Sequence, residues 1–304
     1  MSNIVDSAIL LAGLAGTGKT NFLVGLDVIL DNQTDKDGLV HSEHASDRAY
    51  IQPLREKWQR GEELDHTSRL APPPPHQLLV RHPPSGAHAT FHIADLAGET
   101  FDAQFITRSF SLEFGTRVTQ TTGLMLFLHC DHDGEHAIHE HSCFADLAHA
   151  NTADASRNSE EKVADWTIEK ASKQAKVVEL LQFIAEIREE PLRIAVVISA
   201  WDLVEKAPPG MANELPRDPI RFVAKRWPLL DQFLKCNSRM FPHRLFGVSA
   251  RGGSNSQEEI ARLTSMDQAS DRVIIVDGNH RSNDLSRPVR WLMGLNDTLH
   301  SPNV

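Results

Sequence analysis

The chain has 304 residues and is 40% hydrophobic, enough for one large domain or a domain with a substantial insert. Its 31 basic and 41 acidic side chains give a formal net charge of −10, which argues against a generic basic grip on nucleic acid or an anionic membrane. Three cysteines, Cys130, Cys143 and Cys236, are too few and too scattered for a disulfide framework and suit a reducing cytosol.

The opening MSNIVDSAILLAGLAG lacks a basic n-region and is not read as a signal peptide. No stretch approaches the roughly 20 apolar residues of a membrane span, so the expected location is cytoplasmic. Ala8 to Ala12 predicts a first strand, followed at once by glycines. Asn21 to Leu30 predicts a helix with Phe22, Leu26, Ile29 and Leu30 on one face. Asp31 to Ala71 is polar and weakly patterned and reads as irregular; the prolines of APPPPH fit neither helix nor central strand. Gln77 to Arg81 and His88 to Ala94 predict two strands around the turn HPPSG, and Leu124 to His129 a buried strand. From about 131 to 190 the pattern suggests an insert whose second half is helical, with Val177, Leu180, Leu181, Ile184 and Ile187 at helical spacing. Ile194 to Ile198 predicts a strand, Pro219 to Cys236 a helix interrupted at Pro228, and Leu245 to Val248 and Val273 to Val276 two more strands. A last helix is expected to start near Ser286 as its cap, with Pro288 in its first turn, burying Trp291, Leu292, Leu295 and Leu299. The alternation of strands and helices predicts an α/β fold, a mostly parallel sheet with helices on both faces.

Gly13-Leu-Ala-Gly-Thr-Gly18-Lys19-Thr20 fits the phosphate-loop spacing G-x-x-x-x-G-K-[ST]. Glycines let backbone amides, here those of Gly13 and Ala15 to Thr20, turn inward around phosphate oxygens, and the following helix adds its positive end. Lys19 would reach the β- and γ-phosphates and the Thr20 hydroxyl would bind Mg²⁺. In FHIADLAGETF, Phe91 to Phe101, a strand delivers Asp95 to its C-terminal end, where it can hold the Mg²⁺ shell. Gly98, three residues on, can offer its N–H to the γ-phosphate. VVISAWDLV ends a buried strand on Asp202, which reads either as a turn residue or as a base-reading carboxylate.

The order GLAGTGKT, DLAGE, SAWD, VSARG resembles the Ras-like, translation-factor-related GTPases of the TRAFAC clade, over about residues 5–130 and 190–252. The resemblance implies a three-layer P-loop NTPase fold and binding of GTP or GDP with Mg²⁺. It implies that Asp202 accepts the guanine N1 and N2 protons, and that Ser249 and Ala250 present a backbone N–H to guanine O6. The long segment before the second strand, the helical insert, SAWD and the tail DLSRPVRWL are similar to the bacterial double-GTPase group, whose members are associated with multi-component, conflict or defence systems. The expected organisation is one GTPase-like domain over 1–304, with the insert at about 131–190 and an extension at about 253–304.

Three positions depart from the family pattern. Ser199 and Ala200 stand where Asn or Thr and then Lys are usual, which predicts weaker binding and looser guanine selectivity. A directional hydrogen-bonded readout can still discriminate, because the wrong base leaves a polar group unpaired. Glu99 stands where a water-orienting Gln often follows the glycine, so it is either catalytic or a sign of slow hydrolysis without a partner. Thr67 in RGEELDHTSRL is the expected threonine closing over Mg²⁺ and the γ-phosphate, with Ser68 and Arg69 as rivals. The His-rich CDHDGEHAIHEHSC, with His132, His136, His139, His141 and Cys143, carries zinc-type ligands but no paired ligand signature, and reads as a solvated loop. Tryptophans 166, 201, 227 and 291 read as core, with Trp201 the one that could instead stack on a base. Arg69, Arg108 and Arg251 read as surface arginines that could contact an anion.

The function expected is a GTP-hydrolysing molecular switch whose loops around Thr67 and Gly98 respond to the γ-phosphate. Its partners would be guanine nucleotide and a protein effector, another GTPase-like subunit among the options. Two alternatives stand beside it: a nucleotide-binding interaction subunit with little hydrolysis, and an ATP-using ATPase, since the phosphate loop reads phosphates rather than bases.

Overall fold

The computed structural model describes residues 6–31, 38–42, 51–64, 77–92, 104–131, 171–207 and 215–295. Nine strands form one sheet: β1 (Asp6–Gly13), β2 (Val40–His41), β3 (Gln77–His82), β4 (Ala87–His92), β5 (Gly123–His129), β6 (Arg193–Ser199), β7 (His243–Ser249), β8 (Ile274–Asp277) and β9 (His280–Ser282). Their order is β2-β3-β4-β1-β5-β6-β7-β8-β9. The five strands from β4 to β7 pair in parallel, and both flanks are antiparallel. This is the three-layer α/β P-loop fold expected from the alternation of elements.

Alternation along the central strands builds two cores. Met125, Phe127, Ala195, Val197, Phe246 and Val248 face one side. Leu124, Leu126, Leu128, Ile194, Val196 and Ile198 face the other. Both faces are covered, which is why these strands are continuous apolar runs and not half-polar ones. On the first face lie α1 (Lys19–Asp31), α2 (Ile51–Gln59) and α9 (Arg287–Leu292), contributing Phe22, Leu26, Trp58, Val289 and Leu292. On the second lie α3 (Leu112–Gln120), α4 (Lys173–Ile187), α6 (Pro219–Arg226) and α7 (Pro228–Cys236). Between these, α5 (Trp201–Lys206) follows β6 and α8 (Gln257–Thr264) follows β7.

Several elements differ from the sequence expectation. The segment read as irregular contains α2, whose Ile51 and Trp58 are buried and whose Leu54 packs beside them. Pro53 does not prevent it, because in the first turn of a helix its missing N–H has no partner to lose. The helix expected from Val177, Leu180, Leu181, Ile184 and Ile187 is present as α4, and it carries Val177, Leu181 and Ile184 into the second core. Ser286 sits at the N-cap of α9 without capping it: its Oγ donates to Asp284 Oδ1 at 2.6 Å and accepts from Arg290 Nη1 at 2.8 Å. Leu299 lies outside the described residues. Beyond residue 253, β8 and β9 extend the sheet and α9 packs on it, with Leu292 against Gly123.

A tight seat lies between Trp201 and β7. Trp201 is fully buried, and a Cβ at Gly247 would lie 2.3 Å from its ring. Gly247→Ala should therefore lower unfolding free energy by about 1–3 kcal/mol or more through overpacking. Urea denaturation measures this; an unchanged midpoint would contradict the seat.

Candidate functional site

In-register pairing brings the C-terminal ends of the parallel strands together. Gly13 pairs with Phe127, His129 with Ser199, and Ser199 with Val248. Open α/β sheets bind ligands at this edge.

The phosphate-loop residues leave β1 here. Gly13, Gly16 and Gly18 have φ of 149°, 72° and 83°. At Gly13 a Cβ would meet Phe127 O at 2.7 Å, and at Gly18 it would meet Ser199 Cβ at 3.2 Å, so the loop runs flat against β5 and β6. Thr17 is buried and donates its hydroxyl to Leu14 O at 2.8 Å, closing the loop on itself. Lys19 Nζ lies across the loop, donating to Gly13 O at 2.7 Å and Leu14 O at 3.0 Å. Ala15 and Gly16 are exposed and Thr20 is half-buried in the first turn of α1. That first turn has no acidic residue, so the positive end of α1 is uncompensated and suits an anion.

At the end of β6 the chain turns through Ala200 in the left-handed region (φ 54°, ψ 37°) into α5. Trp201 goes inward, edge-on to Phe222 at 5.4 Å between ring centroids. It is a core residue with no solvent contact and is not a base-stacking one. Asp202, one residue on, is buried and accepts from Ser249 Oγ at 2.5 Å. The same Ser249 oxygen accepts from Gly252 N at 3.1 Å. A buried carboxyl, a hydroxyl and a loop amide are thus chained together. Cys130 supports the turn from behind, donating its thiol to Ala200 O at 3.2 Å. Burial first, with Asp131 and Asp202 adding, pushes the Cys130 thiol up to about 12, so it stays protonated and remains a donor. Burial also holds the His129 ring below its ordinary value, which favours the neutral imidazole.

A cavity of about 160 Å³ connects these pieces, lined by Gly16, Gly18, Ser199, Asp202, Ser249 and Ala250 among others. Ser199 is 8% exposed, and among the described residues its Oγ has no hydrogen-bond partner. A buried hydroxyl without a partner, beside a carboxyl and a glycine loop, fits a polar ligand. His129 was not expected at the site; Ser199 was expected only as a departure from the family pattern in SAWD, and Arg251 as a surface arginine that could contact an anion; all three line the cavity. A larger open cleft of about 440 Å³ shares no residue with this one. Its Arg281 is committed to Glu205 at 3.1 Å. Arg108 likewise is spent on Glu179, at 3.2 Å.

Thr67, Arg69, Asp95, Gly98, Glu99 and the histidines of CDHDGEHAIHEHSC lie outside the described residues. Among the described residues no three of His, Cys, Asp and Glu gather as a metal site. The Thr20 hydroxyl next to the loop is a hard oxygen donor and fits Mg²⁺, which takes few protein ligands and relies on phosphate oxygens for others. No helix among the described residues is long and apolar enough to cross a membrane.

A family model described as Double-GTPase 1 matches residues 10–292. No curated protein matches the chain significantly. Similar solved structures include the signal recognition particle receptor SRb-GTP/SRX complex from Chaetomium thermophilum, at 10% identity over 83% of this chain and 94% of that one, TM-score 0.37. A second is the ADP-ribosylation factor-like GTP-binding protein, small COPII coat GTPase SAR1, from Encephalitozoon cuniculi with GDP, at 12% identity over 95% and 79%, TM-score 0.34. Roco2 RocCORdC of Methanosarcina barkeri bound to GDP is 13% identical over 85% and 47%, TM-score 0.27. At such TM-scores these likenesses carry no argument here.

The Asp202–Ser249–Gly252 chain yields a test that needs no ligand. Ser249→Ala removes both bonds and leaves a buried carboxyl oxygen and amide short of a partner, so unfolding free energy should fall by about 1–3 kcal/mol. Chemical denaturation checks this, and an unaltered stability would mean the chain of bonds is not formed.

Proposed function

The chain belongs to the Double-GTPase 1 family of P-loop, GTP-binding proteins, and from that premise we propose that it is a Mg²⁺-dependent, GTP-hydrolysing switch. The observation that carries the reading is that phosphate-loop residues and the Asp202–Ser249–Ala250 group line one cavity. A phosphate reader and a group with base-reading chemistry are joined at the distance the fold sets.

On binding, Lys19 leaves the carbonyls of Gly13 and Leu14 for the β- and γ-phosphate oxygens, and loop amides from Gly13 to Thr20 donate to the same chain of phosphates. Asp202 accepts from guanine N1–H and N2–H, held in place by Ser249, and Ala250 offers its N–H to O6. Adenine presents an acceptor at the corresponding ring nitrogen and would face the carboxylate unpaired. Thr20, Asp95 and Thr67 would hold Mg²⁺, which supplies charge neutralisation at the phosphate oxygens when bound. For hydrolysis, Gly98 donates its N–H to the γ-phosphate and Glu99 accepts a hydrogen bond from the attacking water. The water oxygen bonds to the γ-phosphorus, the bond to the β–γ bridging oxygen breaks, and the water proton ends on the released phosphate. The negative charge of Glu99 near the γ-phosphate makes hydrolysis slow until a protein partner offsets it.

The same reading makes residues 1–304 one GTPase-like domain with an insert and a terminal extension. It places the protein in the cytoplasm of a bacterium, in a multi-component conflict or defence system with a protein partner or effector, a second GTPase-like subunit among the options. The resemblance of the long segment before the second strand, the helical insert, SAWD and DLSRPVRWL to the double-GTPase group supports that setting.

Purified protein with Mg²⁺ and GTP should release phosphate above the buffer rate, and Lys19→Ala should lower that rate by about 100-fold or more. Phosphate release followed over time decides. Equal turnover by the variant would overturn the phosphate-loop assignment, and no turnover by wild type would move the reading to binding without hydrolysis.

A further inference from the structure

Before the chain reaches Thr67 it passes through α2, and the far side of the cavity ties that helix down. Arg251, the residue after Ala250, donates Nη2 to Gly61 O at 2.5 Å and to Ser254 O at 3.1 Å. Arg272 donates Nη1 to Gln59 O at 2.8 Å, with its guanidinium 5.7 Å from the centre of the Trp58 ring. Asn255 donates to Glu63 Oε2 at 2.8 Å. The last carbonyls of a helix have no partner within it and form the negative end of its dipole, so Arg272 satisfies the carbonyl that ends α2, and Arg251 holds the turn two residues beyond it. Gly252, at φ 89°, keeps the two arginine-bearing segments in contact: a Cβ there would lie 2.0 Å from Arg272 O.

A third element closes the arrangement. A Cβ on Gly25 of α1 would lie 3.2 Å from both Ala250 O and the Trp58 ring. The helix that starts at the phosphate loop, the loop that holds Ala250, and α2 therefore meet at one glycine. Arg251 also lines the cavity, and among the described residues its Nε is buried without a hydrogen-bond partner. It thus joins the cavity wall to the turn that follows α2.

We propose that Arg251 is a positioning residue that couples filling of the cavity to the placement of the C-terminal end of α2 and of residues 60–64 that follow it. The inference rests on the nucleotide reading above. A base seated beside Asp202 and Ala250 narrows the motion of residues 249–253. Gly61 hangs from that loop through Arg251, so the end of α2 is ordered with it. Base occupancy is thereby reported to residues 58–64, by way of a direct contact across the cavity wall.

The test is amide hydrogen exchange read by mass spectrometry on the full chain, with and without GDP and Mg²⁺, for wild type, Arg251→Ala and Arg251→Lys. In wild type, GDP should slow exchange at residues 13–20 and also at 58–64. In Arg251→Ala the slowing at 13–20 should persist and that at 58–64 should be lost, with Arg251→Lys restoring part of it. A purely structural arginine would instead speed exchange at 58–64 equally with and without GDP, leaving the GDP-dependent difference intact, and that result overturns the coupling. Slowing at 13–20 alone in wild type overturns the coupling and leaves the nucleotide reading standing. Slowing nowhere overturns both. Should Arg251→Ala fail to fold, Asn255→Ala removes only the tie to Glu63 and should reduce the GDP-dependent slowing at 58–64; an undiminished effect counts against the proposal.

Discussion

Trp201 sits on Gly247 with no solvent contact, and that seat fixes where β6 becomes α5. Because the indole is locked between β7 and Phe222, the next residue cannot follow it inward. Asp202 is left in the first turn of α5, buried by its neighbours and bonded to Ser249. Ala200 adopts a left-handed conformation to make the turn so short, a strain of about 1–2 kcal/mol for a residue with a Cβ. The packing of Trp201 and the thiol of Cys130 on Ala200 O hold it there. A bulky aromatic before a lone carboxylate is thus a positioning device: the aromatic is the anchor and the carboxylate is what it places.

The rest of the site follows from the sheet. Central strands buried on both faces have little freedom to slip, since a one-residue shift would move each side chain into the opposite core. Their ends are therefore fixed relative to one another, and so are the phosphate loop after β1, the turn after β6 and the loop after β7. The charged residues around the cavity are held mostly by backbone carbonyls, as with Lys19 on Gly13 and Leu14, and Arg251 on Gly61. Contacts of that kind can be exchanged for phosphate or released with a loop, whereas the apolar seats beneath them stay.

Much of this was legible in the sequence, for identifiable reasons. The phosphate loop is fixed by spacing: at Gly13 β5 leaves no room for a Cβ, at Gly18 β6 leaves little, and Gly16 is required by its positive φ alone. The central strands show as apolar runs because both faces are covered. Helix α2 was missed although Ile51, Leu54 and Trp58 stand at helical spacing, because the long polar stretch around them and Pro53 hide so short a pattern. Trp201 could be read as core or as base contact until its ring was found against Gly247, a neighbour 46 positions away. Arg251 is invisible as a positioning residue in the sequence, since its partner Gly61 lies 190 residues earlier. Thr67, Asp95, Gly98 and Glu99 remain readings of the sequence and of its resemblance.

The central claim is that Asp202 reads a guanine base in the cavity it shares with the phosphate loop. Titration calorimetry with Mg²⁺ and non-hydrolysable GTP and ATP analogues, on wild type and Asp202→Ala, tests it directly. The account predicts a preference for the GTP analogue that collapses in the variant while phosphate-dependent binding remains. Equal binding of both analogues, unchanged by the substitution, would make Asp202 a structural partner of Ser249 and contradict it.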